Sequence, residues 1–187
     1  MNYTMVIAHP DDEVIFGWPV LRETKKIICC VSDRNNILKK KYNMRIVPLL
    51  EIGKIFNIEI ICLEYNSGFY KTIDARKGEL ITLQKSILKN IGYENVFTHN
   101  AWGEYGHLDH ILVNQLVMSR GFNTYVSNIN CYANWFKTTP HFFKERIGEE
   151  KLLDMSIYTL CKNIYIKYDC WSWSSPVIEK AIIYKEN

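Results

Sequence analysis

The sequence predicts a parallel, doubly wound α/β domain. Strand-like and helix-like segments alternate along the chain. The strand-like runs are short and apolar. Two clusters rich in His and Asp directly follow two of those runs, where sites form in such sheets.

Taken in order, residues 3–8 read as a buried strand and residues 26–31 (Lys-Ile-Ile-Cys-Cys-Val) as a second. Residues 36–56 read as a helix that Pro48 should start, kink or divide. Residues 58–63 are strand-like. Residues 75–90 have helical periodicity, with Leu80, Leu83, Ile87 and Leu88 on one side and Gly92 as a stop. Residues 95–98 read as a short strand, 108–120 as a helix ended by Gly121, and 123–131 as extended. Residues 144–162 read as helical and 177–185 as a closing strand. No repeat, linker or low-complexity tract divides the 187 residues, so the expectation is one domain spanning 1–187.

Composition narrows the class of function. Hydrophobic residues make up 48% of the chain, enough for a sizeable core. The 23 basic and 20 acidic residues leave a net charge of +3, too balanced to point to nucleic acid. The run Lys39-Lys40-Lys41 is short and reads as a solvated helix face. Cys29, Cys30, Cys62, Cys131, Cys161 and Cys170 form no Cys-x-x-Cys pair. The first three sit in apolar runs, where a free thiol behaves as a small hydrophobe. This argues for a reducing cytoplasm and against a disulfide framework. His9 leaves no room for the apolar region of a signal peptide, and no stretch suits an integral membrane segment. A homo-oligomer is compatible with these features.

The first cluster is His9-Pro10-Asp11-Asp12-Glu13, and the second is Gly106-His107-Leu108-Asp109-His110. One His and two adjacent carboxylates could supply two metal ligands and a general base. The distant pair could supply a third ligand and a second acid/base group. Three protein ligands with an open fourth position is the pattern of a catalytic zinc site, whereas structural sites are closed by four. No Cys lies near either cluster. The plain alternative makes Asp11 and Asp12 the cap and first-turn acids of a helix through residues 14–18. His107 and His110, three apart at a helix start, project toward one side. Between them, Asp109 serves either as first-turn charge or as support for an imidazole, that of His107, whose second ring nitrogen it could hold. Gly103 and Gly106 allow a tight turn. Other residues carry less weight. His99 and His141 read as structural or surface groups. Trp102, Trp135, Trp171 and Trp173 read as core aromatics before sugar-stacking ones. Glu13 reads as a helix-start residue or a support of the ligands.

The combination closely resembles the LmbE-like/PIG-L family of zinc-dependent N-deacetylases. The resemblance is carried by Ala8-His9-Pro10-Asp11-Asp12-Glu13 and Gly103-Glu104-Tyr105-Gly106-His107-Leu108-Asp109-His110, with weaker similarity across most of the chain. It implies a Rossmann-like fold: a three-layer sandwich around a mostly parallel sheet. It also implies zinc, or another divalent transition metal such as Fe²⁺, bound by His9, Asp12 and His110. Asp11 would be the general base. His107 would partner the developing oxyanion or the leaving amine, with Tyr105 near the oxyanion. Arg45 and Asn66 would contact the substrate. Leu108 stands where relatives commonly have Pro, Asn66 where they often have Asp, and Pro48 where they often have Glu. The expected reaction is removal of an acetyl group from a small-molecule amino-sugar derivative, such as an N-acetylglucosamine glycoside, conjugate, or nucleotide- or carrier-linked sugar. Its rivals are cleavage of a larger amide conjugate by the same site, and a sugar-binding module with residual metal affinity. A phosphatase is disfavoured by the lack of a Gly-rich phosphate loop.

Overall fold

The computed structural model describes residues 1–31, 44–65, 77–92, 95–131 and 143–186. Asn66, Lys39-Lys40-Lys41, Trp135 and His141 lie outside them, as does the first part of the helix expected over 36–56.

The apolar run Tyr3–Ile7 forms β1, with all five residues buried. It lies between β2 (Thr24–Val31) and β4 (Asn95–Thr98), parallel to both. Outside β2 runs β3 (Glu59–Tyr65), and outside β4 runs β5 (Asn123–Ser127), again parallel. Among the described strands only β7 (Lys180–Lys185) reverses: it is antiparallel to β5, and β6 (Glu145–Leu152), antiparallel to β7, runs in the direction of the first five. The described strands therefore make one seven-stranded, mostly parallel sheet in the order β3-β2-β1-β4-β5-β7-β6.

Alternate residues of the central strands face opposite layers, as the two-residue repeat of a strand requires. Met5, Ile7, Ile27 and Cys29 join a core that includes Leu49 and Ile52 of α2 (Ile46–Phe56) and Tyr158, Cys161 and Tyr165 of α6 (Met155–Lys167). Val6, Ala8, Ile28 and Cys30 join a second core with Leu83 and Ile87 of α3 (Lys77–Asn90) and Val113 and Val117 of α5 (Leu108–Met118). These are the three layers that the alternating pattern predicts. All six cysteines are free thiols, four of them buried. No described helix is long and apolar enough to cross a membrane.

Two expectations change in detail. Helix α2 begins at Ile46, which puts Pro48 in its first turn. There the missing N–H has no intrahelical acceptor to lose. The helix expected over 144–162 is instead β6 followed by α6. Glu- and Lys-rich residues favour helices in isolation, but here they form a charged edge strand, a common defence of exposed sheet edges. Gly148, at φ 70, marks a register shift in that strand. The true helix start is Asp154, whose carboxylate accepts the amides of Ser156 and Ile157.

The chain order places β1 at a switch point. It leaves β1 for β2 and β3 on one side, then returns to β4 on the other. The carboxyl ends of β1 and β4 are therefore neighbours, and each is followed by a cluster found in the sequence.

Helix α2 is held close to β3 at Gly53. A Cβ there would lie 2.5 Å from Ile60 Cγ1 and 3.0 Å from the Ile58 carbonyl. Gly53→Ala should therefore destabilise the protein by about 1–3 kcal/mol through overpacking, despite alanine's better helix propensity. Chemical denaturation checks this; a more stable variant would contradict the close packing.

Candidate metal centre and active site

Beyond Ile7 the chain is held by backbone bonds before it turns. The Ala8 amide donates to His99 Nε2 at 2.9 Å, and the Ala8 carbonyl accepts the Val31 amide at 2.8 Å. The His9 amide then donates to Asp12 Oδ2 at 2.7 Å. Asp11 opens the single turn α1 (Asp12–Ile15), but it has a left-handed backbone, φ 96 and ψ −18, and its side chain caps nothing. The capping alternative thus fails for Asp11. The twisted backbone accompanies a divergence of two neighbouring carboxylates. Asp12 Oδ2 faces three imidazoles: His9 Nδ1 at 3.5 Å, His99 Nε2 at 3.4 Å and His110 Nε2 at 3.5 Å. Asp11 faces away from them, toward Arg45 Nη2 at 2.6 Å and the Ser172 hydroxyl at 2.7 Å.

The second segment follows β4. Buried Asn100 donates to the carbonyls of Ser127 and Ile129 while its Oδ1 accepts the amides of Trp102 and Glu104. It pins the loop to the strand beside it. The turn α4 (Gly103–Gly106) is distorted, with Glu104 at φ 56. Gly103 is at φ 61, and a Cβ there would lie 3.1 Å from His110 Cβ and 3.0 Å from Ile111 Cγ1. Helix α5 then starts with His107 as its cap, His107 Nδ1 accepting the Asp109 amide at 3.2 Å. His110 sits in the first turn, fully buried.

Three donor atoms from the two segments form a near-equilateral triangle. His9 Nδ1 is 3.3 Å from His110 Nε2, and each lies 3.5 Å from Asp12 Oδ2. Atoms about 2.0–2.2 Å from a tetrahedral ion stand about 3.3–3.6 Å apart, so the triangle fits one. The far nitrogens of both rings are engaged. His9 Nε2 lies 3.0 Å from Asp109 Oδ2, and His110 Nδ1 lies 2.8 Å from Glu104 Oε2. A ring that donates one N–H to a carboxylate presents its other lone pair for coordination.

Two further triads have donor atoms within 4.8 Å of one another: His9 with His107 and His110, and Asp12 with His99 and His110. Of their extra rings, His99 has both nitrogens engaged and His107 has one. The Nε2 lone pair of His99 accepts the Ala8 amide, and its Nδ1 donates to Glu104 Oε2 at 2.9 Å. His99 is thus buried against the centre with both ring nitrogens engaged. His107 has Nδ1 occupied by the Asp109 amide.

Burial and neighbouring charges set the protonation tendencies. Burial alone raises Asp11, Arg45 opposes it, and the carboxyl ends near 6. Burial and His99 push His110 down to about 4, and burial and His9 lower His107. Burial would also lower His9, but Asp109 and Asp12 outweigh it and raise the ring to about 9. Burial would raise Glu104, yet His99 and His110 hold it near 2. Asp11, Asp12, Glu13, Glu104 and Asp109 are the buried acids among the described residues. Buried carboxylates beside imidazoles are the kind of donor set whose charge a divalent cation can balance.

His9, Asp11, Asp12, Arg45, Tyr105, His107, Asp109 and His110 lie together at these strand ends, while Asn66 lies outside the described residues. Tyr105 packs between Phe16, His107, His110 and Trp173, with ring centres 5.3–5.9 Å away. Asp109 corrects one expectation. Its carboxylate meets His9 Nε2, while His107 Nδ1 receives its amide. Sequence reasoning gave no role to Glu104, Ser172 or Tyr165. Glu104 was readable as an acid inside the glycine-flanked turn; the other two sit in no motif.

Comparison with known proteins agrees with this layout. A family model described as PIG-L, GlcNAc-PI de-N-acetylase, matches residues 4–120, which include both clusters. An uncharacterized protein of Acanthamoeba polyphaga mimivirus is 27% identical over 159 residues, covering 76% of this chain and 70% of that protein. Among solved structures, the pseudoaglycone deacetylase Dbv21 superposes with a TM-score of 0.64 at 10% identity, over 98% of this chain and 96% of its own. A triple mutant of a deacetylase involved in the teicoplanin biosynthetic pathway gives the same score and identity, over 100% and 99%. At that identity these two structures establish the fold.

Glu104 ties both buried rings to the backbone of Asn100. Glu104→Ala should cost about 3–5 kcal/mol, the scale for breaking a buried charged network. For a chain of this size that lowers Tm by roughly 10 °C. An unchanged Tm in a calorimetric scan would show that Glu104 does not hold the rings.

Proposed function

The chain belongs to the PIG-L family of deacetylases, hydrolases that act on amide bonds, and on that premise we propose its substrate and its chemistry. The substrate is an N-acetylated amino sugar of the N-acetylglucosamine type, free or in a glycoside, conjugate or carrier-linked form. His9, Asp12 and His110 hold the metal, with zinc the preferred ion. The observation that carries this reading is the 3.3–3.5 Å triangle of their donor atoms, with both outer ring nitrogens on carboxylates. When bound, a divalent ion supplies Lewis acidity, which polarises an amide carbonyl and brings a water's pKa to about 7.

The protein's own groups do the rest. Asp11 is the general base. It stands beside the triangle without belonging to it, and burial lifts its carboxyl to about 6, close to the working range of a base. His107 is the oxyanion donor. With Nδ1 accepting the Asp109 amide, the neutral ring must carry its proton on Nε2, and burial favours that neutral ring. One such donor is worth about 3–4 kcal/mol in the transition state. Asp11 takes a proton from the attacking water as its oxygen bonds to the acetamide carbon, then passes that proton to the nitrogen as the C–N bond breaks, giving acetate and free amino sugar. Tyr105, packed against His107, and Trp173, packed against Tyr105, are half-buried aromatics on which a sugar ring can stack. A pure binding module would need none of this apparatus, and here both base and ligand set are present.

A screen of N-acetylated sugars, nucleotide sugars and glycosides with zinc-loaded protein, detecting acetate and free amine together, tests the reading. No acetate release from any of them would count against it. His110→Ala should lose most bound zinc by elemental analysis, and full occupancy would overturn the ligand set. Asp11→Asn and His107→Ala should both keep the metal and lose roughly 10²-fold in kcat. A His107→Ala enzyme with unchanged kcat and only a raised KM would make that residue a substrate contact instead.

A further inference from the structure

We propose that Ser172 and Tyr165, more than 150 residues beyond the first cluster, are positioning residues for Asp11. The inference rests on Asp11 being the base. It starts from the backbone. A non-glycine residue at φ 96 costs about 1–3 kcal/mol and persists only where its surroundings over-determine it. Two partners of the Asp11 carbonyl, the amides of Val14 and Ile15 at 3.0 Å each, belong to the turn itself. The amide of Asp11 instead donates to Glu13 Oε2 at 3.0 Å. Glu13 is wholly buried, and its other oxygen accepts the Tyr165 hydroxyl at 2.7 Å. Tyr165 is itself fully buried in α6. The twist at Asp11 is therefore braced by a helix from the far end of the chain.

The carboxylate is fixed in the same way. Arg45 holds Oδ1 at 2.6 Å and Ser172 donates to Oδ2 at 2.7 Å. Donors on both oxygens stop the two-fold rotation otherwise open to an Asp carboxyl. Each oxygen keeps a further lone pair, so one remains for a proton. Ser172 is in turn held by its neighbours. Trp171 packs at 6.0–6.1 Å from the Tyr158 and Tyr165 rings, while Trp173 packs at 5.4 Å from Phe16 and 5.6 Å from Tyr105. Two tryptophans anchored in different clusters leave the serine between them aimed at Asp11. A base displaced by about 1 Å can lose up to ~10²-fold in rate, so these hydrogen bonds act on kcat.

The test is steady-state kinetics, metal analysis and crystal structures of the zinc-loaded Ser172→Ala, Ser172→Thr and Tyr165→Phe proteins. The kinetics are run in the native and Asp11→Asn backgrounds. Ser172→Ala and Tyr165→Phe should each lose roughly 10-fold in kcat at unchanged KM and metal content, with Ser172→Thr near native. In the Asp11→Asn background the same changes should cost less than about two-fold, because the group they position is gone. Equal losses in both backgrounds, or a Ser172→Ala kcat within about two-fold of native, would overturn the proposal. A native protein that releases no acetate fails the deacetylase reading instead. The crystal structures then still decide: an Asp11 carboxylate turned from its native direction in Ser172→Ala supports the brace, and an unmoved one overturns it.

Discussion

Five buried acids and three buried imidazoles share the space beyond β1 and β4, and none of them could be there alone. An isolated buried charge costs several kcal/mol, and only close partners with good geometry offset it. Each acid accordingly has a named partner. Asp12 faces the three rings, Glu104 takes the Nδ1 protons of His99 and His110, and Asp109 meets His9. Asp11 pairs with Arg45, and Glu13 with Tyr165. This mutual dependence determines what the rest of the fold must supply. A switch point brings the two strand ends together, and close helices exclude water from the network.

The same constraint accounts for the strained backbone. Asp11 and Glu104 are both non-glycine residues at positive φ, and each directs a carboxylate that the network needs. A regular helix start at Asp11 would have turned its side chain back to cap α1, away from Arg45 and Ser172. Such strain is sustained only by the hydrogen bonds around it, and it concentrates at functional sites. Here the bonds come from both ends of the chain, since Tyr165 and Ser172 reach Glu13 and Asp11 from its C-terminal third.

The central architecture was legible because parallel strands bury both faces and read as continuous apolar runs. Residues 3–8 and 26–31 announce themselves in this way. The strand over Glu145–Leu152 was not legible, since an edge strand is charged and Glu and Lys also favour helices. Gly148 and the Asp154 cap were the signals that a break and a new start lay within that stretch. At the site, His9, Asp12 and His110 stood out as candidate ligands because such residues cluster in sequence at strand and helix ends. Asp109 was assigned to His107 because it is two residues away, yet its carboxylate reaches a ring 100 residues distant. Sequence proximity does not set side-chain direction at a helix start. Ser172 and Tyr165 were invisible for a simpler reason: a single hydroxyl acting across 150 residues leaves no pattern.

The central claim is that one divalent ion is held by His9 Nδ1, Asp12 and His110 Nε2. The direct measurement is a crystal structure of the zinc-loaded protein, with the ion located by anomalous scattering at the zinc edge. The account predicts a single strong peak about 2.0–2.2 Å from those three residues, with an open fourth position. A peak bound through His99 or His107 in place of Asp12 or His9 would contradict it.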